Sequence, residues 1–430
     1  MRYVIIGGSA AGIACVESIR ELDKKSTITL ISEEEVPLYS RCLLSYLLAG
    51  AITEDGIYFK ERDFFKVNGV EAILGVRAEK IDAKIKAVTL SNKKKIDFDK
   101  LLIATGARSK MLNIPGIDKK GVFALRAIKD ERAIEEALKK MRTAAVLGGG
   151  LIGLKAAYAL KSRGMAVKVV VKSGQVLSQI LDSKAAGIVQ GRIEREGIAV
   201  MKGLDAKEIR GQSDTVEGVL LGDGTTLGCE LVVIGKGVEP NTELAKAAGI
   251  DVKRGIAVND FLETSARDLF AAGDAAETRD VASGERALNA IWPCAVEQGH
   301  IAGKNMAGEK ALYDGSLGMN SIEFFGLPVI SIGVTRPSGA GYEELMAGDE
   351  NKAVYKKVVL KENIIRGFIS VGRIENSGVY NVLIKHQVNV EKIKGALLDR
   401  DFSYAKAMPA IKECNEKFDK EEFKDSLITY

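Results

Sequence analysis

Val4-Ile5-Ile6-Gly7-Gly8-Ser9-Ala10-Ala11-Gly12 stands almost at the start of the chain, and Ala145-Val146-Leu147-Gly148-Gly149-Gly150-Leu151-Ile152-Gly153 repeats its grammar about 140 positions later. In each, an apolar run that reads as a buried strand ends in glycines and passes at once into a helix. The glycines permit a tight turn, a bare backbone against which a pyrophosphate can lie, and close packing of helix on strand. The positive N-terminal end of the helix then faces the anion. One such stretch is weak evidence, because glycine turns are common. Two, each in the right context, predict two dinucleotide sites on Rossmann-like α/β units.

Around the first turn the pattern predicts a helix over 13–22 and a second strand over 26–31 that ends at Ser32-Glu33, about 20 residues past Gly12. A carboxylate at that place can accept hydrogen bonds from a ribose diol; the alternative for Glu33 is a solvated loop acid, since Glu34 and Glu35 follow it. Further on, Leu101-Leu102-Ile103 closes on the small-residue turn Ala104-Thr105-Gly106-Ala107-Arg108. The second turn has its own helix over 151–163 and strand over 166–171, and its unit ends in Val232-Val233-Ile234-Gly235-Lys236-Gly237-Val238-Glu239-Pro240-Asn241. Where an NADH site usually offers Asp or Glu, this chain has Val171-Lys172-Ser173. A lysine cannot accept from a diol but can pair with a 2′-phosphate, which tilts the reading toward NADPH; otherwise Lys172 is an exposed lysine without a contact. Leu269-Phe270-Ala271-Ala272-Gly273-Asp274 is one more strand ending in glycine and a carboxylate. After about position 312 come short β-rich segments, among them Val329-Ile330-Ser331-Ile332 and 354–360, then helices toward Tyr430, with no further phosphate turn.

The bulk composition fits this organisation. A chain of 430 residues is too long for one core, so two or three domains are expected. Charged residues make up 28% of it, yet the net charge is only +4 and the signs alternate along the chain, so no nucleic-acid partner is implied. The densest basic run, Lys93-Lys94-Lys95, reads as a solvated hairpin turn. No apolar run approaches the roughly 20 residues of a membrane span, and the chain enters a strand at once without a signal peptide; a cytoplasmic location is expected. The five cysteines (15, 42, 229, 294, 414) form no Cys-x-x-Cys and have no histidine at metal spacing. Neither a metal site nor a disulfide framework is expected.

These motifs, in this order, resemble the pyridine nucleotide–disulfide oxidoreductase family, the flavoproteins with two dinucleotide-binding domains, over essentially the whole length. The resemblance implies a glutathione reductase-like α/β fold: two Rossmann-like domains and a C-terminal α+β interface domain. Residues 1–112 would be the first segment of the FAD domain, 113–241 an inserted NAD(P) domain, 242–312 the second FAD segment, and 313–430 an interface domain that usually forms a homodimer. FAD would lie on Gly7, Gly8, Ser9, Ala10, Ala11 and Gly12, with Glu33 on a ribose, Ala104, Thr105, Gly106 and Arg108 closing the first segment, and Gly273 and Asp274 at the ribityl chain. The alternative for Asp274 alone is a helix N-cap. NAD(P)H would lie on Gly148, Gly150, Leu151, Ile152 and Gly153, with Lys172 and Gly235 beside it. Ser9 departs from the strict pattern, which has glycine there, but its small side chain still permits close approach. The stretch Asn289-Ala290-Ile291-Trp292-Pro293-Cys294-Ala295-Val296-Glu297-Gln298-Gly299 resembles the helix start that points backbone N–H groups at the flavin, with Ala295 in that turn and Trp292 either a flavin-edge cover or core packing.

The reaction is read from Pro37-Leu38-Tyr39-Ser40-Arg41-Cys42-Leu43-Leu44-Ser45-Tyr46-Leu47-Leu48-Ala49-Gly50. Tyr-Ser-Arg followed by Leu-Leu-Ser-Tyr resembles the flavin-facing loop of rubredoxin reductases and of the FAD module of assimilatory nitrite reductases. Cys42, however, falls where coenzyme A-disulfide reductases and NADH oxidases keep a single redox-active cysteine. A thiol at a helix start, next to Arg41, is expected to have a depressed pKa; the alternative is a small apolar filler under the flavin. There is no Cys-x4-Cys pair and no C-terminal His-Glu pair, His300 and His386 being the only histidines, so the glutathione or lipoamide type is excluded. Ala10 stands where the peroxidases carry a histidine. No cysteine-rich iron–sulfur or sirohaem segment follows, so a complete nitrite reductase is not expected. The resemblance therefore implies an FAD-dependent NAD(P)H oxidoreductase that passes hydride from nicotinamide to flavin and electrons on to a small redox protein (rubredoxin, ferredoxin or an iron–sulfur subunit). The other reading is disulfide or oxygen reduction through Cys42, and a third is a cofactor-binding redox sensor with little turnover.

Overall fold

The structure is a computed structural model that describes residues 1–418; the last of the helices anticipated toward Tyr430 lie outside the described residues. The chain forms two compact units, one of residues 1–172, 198–280 and 286–316, the other of 173–197, 281–285 and 317 onward.

The first unit holds two five-stranded parallel sheets. One has the order Leu269–Ala271, Lys100–Ile103, Arg2–Ile6, Thr27–Ile31, Val70–Ile73, and the other Ala199–Lys202, Ala166–Val171, Thr143–Leu147, Leu231–Ile234, Val122–Phe123. In both, the strand that leads into a glycine turn is the central one. Val4, Ile5, Val146 and Leu147 are all but sealed from solvent, which is why these strands read as unbroken apolar runs. A central strand with neighbours on both sides leaves the crevice beyond its carboxyl end as the natural ligand position.

The helix after the first turn spans Ala10–Leu22, three residues earlier than the pattern suggested. Ala10 and Ala11 are strong helix formers, so they join the helix. The helix after the second turn spans Leu151–Ser162. Helix Ala10–Leu22 packs against helix Trp292–Ala307 backbone to backbone. A β-carbon on Gly299 would lie 2.2 Å from the Ala11 carbonyl oxygen, and one on Gly303 2.7 Å from that of Cys15. A meander of Ala78–Asp82, Ala87–Leu90 and Lys95–Asp97 carries the expected hairpin, with Lys93, Lys94 and Lys95 exposed at its turn. A separate two-stranded ribbon pairs Ala107–Ser109 antiparallel with Val238–Pro240, so the two crossings between the sheets run side by side.

The second unit is built on an antiparallel sheet of order Met319–Phe324, Leu327–Gly333, Ile364–Val371, Val354–Lys361, Tyr342–Asp349, which contains the expected strands at 329–332 and 354–360. Phe368 stacks on Tyr380 in its core, ring centroids 3.9 Å apart, and Phe402 packs tilted against Tyr380 at 5.0 Å. Residues 173–197 belong to this unit, held there by a buried charge. Lys357 lies 2.9 Å from Glu344 and 3.4 Å from Asp182. Asp182 also caps helix Ser183–Arg195 by accepting from the Ala185 N–H, and accepts from the Tyr355 hydroxyl at 2.7 Å. A buried lysine needs both carboxylates, which a sequence pattern cannot anticipate. Among the described residues no helix is long and apolar enough to cross a membrane.

The contact at Gly299 yields a stability prediction. Gly299→Ala forces helix Trp292–Ala307 away from helix Ala10–Leu22 and is expected to cost about 1–3 kcal/mol through overpacking. Differential scanning calorimetry checks this; an unchanged thermal midpoint would show that the two helices can part freely.

Candidate dinucleotide sites

The first glycine turn is dictated by crowding. Gly7 has φ +122°, and a β-carbon there would lie 2.0 Å from the Ala104 carbonyl oxygen; one on Gly12 would lie 1.9 Å from that of Gly7. At Gly8 a β-carbon would meet only ordinary contacts at 3.4 Å, and Ser9 is extended without a side-chain cap, so the middle of the turn is open. The first N–H groups of a helix have no intrahelical partner, so Ala10, Ala11 and Gly12 present donors above this opening. Such a cradle suits a pyrophosphate and leaves no room for a side chain at its rim.

The returning turn converges on the same place. Gly273, φ +76°, has the β-carbons of Ala11 and Ala295 around its open side, and its N–H donates to Gln298 Oε1 at 2.8 Å. Asp274 follows and accepts from Arg126 at 2.5 Å, both side chains being mostly buried. Arg126 also donates from Nε to the Ala107 carbonyl. Arg126 escaped the sequence reading because it lies outside every motif, 148 positions from its partner. Ala295 is not a donor: its N–H returns to the Ile291 carbonyl as the first bond of the helix, so it contributes packing against Gly273. Trp292 stands edge-on to Phe59, centroids 5.0 Å apart, at the margin of the first unit's core.

Glu33 is exposed at the end of strand Thr27–Ile31, while its neighbour Glu34 organises the loop. Glu34 accepts from the Tyr39 hydroxyl at 2.9 Å and from Arg41 at 2.8 Å; Arg41 also donates to the Arg126 carbonyl, and the Ile128 N–H donates to Tyr39. This corrects the expectation for Cys42. Arg41 is adjacent in sequence but turned to Glu34, while Cys42 lies in a 3-10 turn, Arg41–Leu43, that runs directly into helix Leu44–Leu48, so the expected helix start is present. Cys42 is exposed, yet protein atoms crowd its sulfur enough to push the thiol up. A hydrogen bond from Ser40 and the Arg126 charge oppose this without reversing it, while the Asp274 charge adds to the rise.

Thr105 and Arg108 are drawn into the ribbon. The Thr105 hydroxyl donates to the Asn241 carbonyl at 2.7 Å, and Asn241 returns a bond from Nδ2 to the Thr105 carbonyl. Arg108, half exposed, is engaged by Glu239, Asn241 and Glu243 at 2.7–3.1 Å. Gly106, φ +65°, faces open space.

The second turn repeats the first. Gly148 has φ +136° and a β-carbon there would be 2.1 Å from the Gly235 carbonyl oxygen; one on Gly153 would be 2.0 Å from that of Gly148. One on Gly235 would lie 2.6 Å from Gly153 Cα, whereas Gly150, at the start of the helix carrying Leu151 and Ile152, is open. This cradle also fits a dinucleotide. Lys172 is neither idle nor waiting: its ammonium lies 3.0 Å from one oxygen of Asp205, whose other oxygen is 2.9 Å from Lys236. Asp205 carried no signal in the sequence, because its two partners lie on other strand ends. Among the described residues no group of three or more His, Cys, Asp or Glu side chains converges on a metal position.

Comparison with known proteins places these features in context. The sequence signature described as pyridine nucleotide-disulphide oxidoreductase matches residues 1–299, and that of the rubredoxin NAD+ reductase C-terminal domain matches residues 319–388. A nitrite reductase [NAD(P)H] of Bacillus subtilis is 35% identical over 86% of this chain, which spans only 45% of that protein. An NADH oxidase of Methanocaldococcus jannaschii is 38% identical over 73% of this chain and 71% of its own. The solved ferredoxin reductase of Rhodopseudomonas palustris is 28% identical, with a TM-score of 0.85, over 95% of this chain and 99% of its own.

Two outcomes follow from the geometry. Arg126→Leu leaves the mostly buried Asp274 carboxylate without its cation and is expected to lower the flavin retained on purification, measured by denaturing the protein and chromatographing the flavin released; equal retention would separate the ion pair from the site. In the flavin-free protein, alkylation of Cys42 by iodoacetamide is expected to rise with pH later than that of a free cysteine, because a raised pKa leaves less thiolate at any given pH. Peptide mapping reads the rate, and a curve displaced toward acid would contradict the crowding argument.

Proposed function

Since the chain belongs to the pyridine nucleotide-disulphide oxidoreductase family, whose members use FAD and NAD(P)H, we propose that it is a reductase that carries electrons from NAD(P)H to a small iron-centre redox protein of rubredoxin, ferredoxin or iron–sulfur-subunit type. When bound, the flavin supplies the ring that accepts hydride from nicotinamide and releases electrons onward. The chain's own residues do the holding. Gly7 to Gly12 cradle the FAD pyrophosphate, Glu33 accepts from its ribose, and Asp274, steadied by Arg126, faces its ribityl chain. Gly148 to Gly153 and Gly235 cradle NAD(P)H. The N-terminus of helix Trp292–Ala307 favours negative charge on the reduced ring. Residues 1–112 and 242–312 form the FAD domain and 113–241 the nicotinamide domain, of which 173–197 pack with the second unit, and the residues from 313 onward form a homodimer interface; a cytoplasmic location belongs to the same proposal.

The observation that carries the choice of acceptor is the state of Cys42. A redox-active cysteine works as thiolate, and here the one nearby guanidinium in sequence is taken by Glu34 while the thiol is pushed up. The match of residues 319–388 to a rubredoxin reductase C-terminal domain supports the same reading. The exposure of the Cys42 residue, with the Asp274 and Arg126 charges acting on its thiol, favours the second reading, disulfide or oxygen reduction of the coenzyme A-disulfide reductase and NADH oxidase type.

Cys42→Ser is expected to leave NAD(P)H-driven reduction of a rubredoxin, a ferredoxin or ferricyanide within about twofold of wild type, since less than half a kcal/mol of barrier is then at stake. Anaerobic dithionite titration of wild type is expected to stop at two electrons per FAD. A long-wavelength charge-transfer band that vanishes in Cys42→Ser, with extra reducing equivalents consumed, would transfer the assignment to the second reading.

A further inference from the structure

The carboxyl edge of the second parallel sheet carries a charge arrangement that the glycine turn does not require. In this kind of sheet the second strand ordinarily ends in an acid that accepts from the adenosine ribose diol. Here strand Ala166–Val171 ends at Lys172. The adjoining strand, Ala199–Lys202, runs parallel in the register Val171↔Lys202, so its end lies at the same edge. The chain then folds back over its neighbour: the Leu204 N–H donates to the Val171 carbonyl at 3.2 Å, and Asp205 comes next. Lys236 arrives from the other side. It follows Gly235, whose N–H donates to the Leu147 carbonyl at the foot of the glycine turn. Lys236, Asp205 and Lys172 therefore join the foot of the turn to the place where the ribose acid is missing, with side chains 16%, 27% and 75% exposed.

We infer that Asp205 supplies the carboxylate that strand Ala166–Val171 lacks, and that it selects the dinucleotide without a 2′-phosphate. The inference rests on the second glycine turn being the nicotinamide-dinucleotide site. An ionised carboxylate offers about four acceptor positions, and the two lysines use one oxygen each, so both hydroxyls of a diol can bind without breaking either ion pair. A 2′-phosphate, itself an anionic acceptor, would meet the Asp205 carboxylate where it needs a donor, and would compete with Asp205 for Lys172. Displacing Asp205 leaves Lys236, the least exposed of the three, short of its counter-charge. Burial works against the charged form of Asp205, but hydrogen bonds from Lys236 and Lys172 outweigh it and hold the carboxyl below its ordinary range, so the acceptor stays ionised at neutral pH.

Calorimetric titration of the FAD-loaded protein with ADP-ribose and with 2′-phospho-ADP-ribose tests this without turnover. Wild type is expected to bind ADP-ribose more tightly, by about tenfold or more, the worth of one charge-assisted hydrogen bond. Asp205→Asn is expected to bring the two affinities together or invert them, by weakening ADP-ribose and tightening the phosphorylated ligand, and the latter gain should fade with added salt. Asp205→Glu should keep the wild-type order. If Asp205→Asn loses its fold because Lys236 is left unpaired, the double variant Asp205→Asn/Lys236→Met carries the same comparison. A wild type that prefers the phosphorylated ligand, or a variant that weakens both ligands equally, overturns the assignment of Asp205 alone. Failure of wild type to bind either ligand overturns the reading of the second turn with it.

Discussion

The Ala104 carbonyl oxygen occupies the space that a side chain on Gly7 would need, and the Gly235 carbonyl oxygen does the same to Gly148. Each close approach joins the carboxyl ends of two neighbouring parallel strands, Arg2–Ile6 with Lys100–Ile103 and Thr143–Leu147 with Leu231–Ile234. Only glycine tolerates both that distance and the positive φ, so the turn cannot move without parting the sheet. From this constraint the rest is placed in order. Gly12 sits on the Gly7 carbonyl and fixes the start of helix Ala10–Leu22; that helix meets Trp292–Ala307 through Gly299 and Gly303; and Ala11 and Ala295 together close around Gly273. Asp274 is thus aimed by a relay of small residues, each permitting a backbone contact that a larger one would forbid.

The charged groups around that frame orient one another more than they stabilise it. Exposed pairs such as Arg108 with Glu239 and Glu243 contribute little to stability, on the order of 0–1 kcal/mol each. The half-buried set is more constrained. Glu34 holds Arg41, Arg41 reaches the Arg126 carbonyl, and the Arg126 guanidinium holds Asp274. Of this set, the Asp274 and Arg126 charges act on the Cys42 thiol, with opposite sign. Burial is the larger influence on that thiol, and the charges that modulate it come from Asp274 and Arg126 and not from its sequence neighbour.

Features whose cause is local were legible in the sequence. The two turns announce themselves because glycine is obligatory at Gly7 and Gly148, and the strands because burial on both faces demands unbroken apolar runs. The Lys93-Lys94-Lys95 hairpin was readable for the same reason, its turn being set by adjacent residues. What escaped depends on partners brought from elsewhere. Arg126 meets Asp274 across 148 positions, and Asp205 gathers Lys172 and Lys236 from two other strand ends. Arg41 misled because adjacency along the chain was taken for proximity of charge, whereas its side chain reaches back to Glu34. Residues 173–197 follow Lys357, a buried cation that pairs with Glu344 on the neighbouring strand and with Asp182 far away in sequence.

The ribbon of Ala107–Ser109 and Val238–Pro240 makes the chain modular. Ser109 and Val238 are cross-strand partners, so everything between them leaves and returns through points one strand spacing apart, about 5 Å. Insertions between adjacent ends are the kind that folded domains accept most readily. A two-residue hairpin could bridge the same gap, which makes the stretch from Lys110 to Gly237 an insertion into the first parallel sheet's chain, one that also contributes residues 173–197 to the second unit. Removed or exchanged for a different one, it would leave the first parallel sheet with its strands, its glycine turn and its returning Asp274 still encoded in the remaining chain, but would take Arg126, the partner of Asp274, with it.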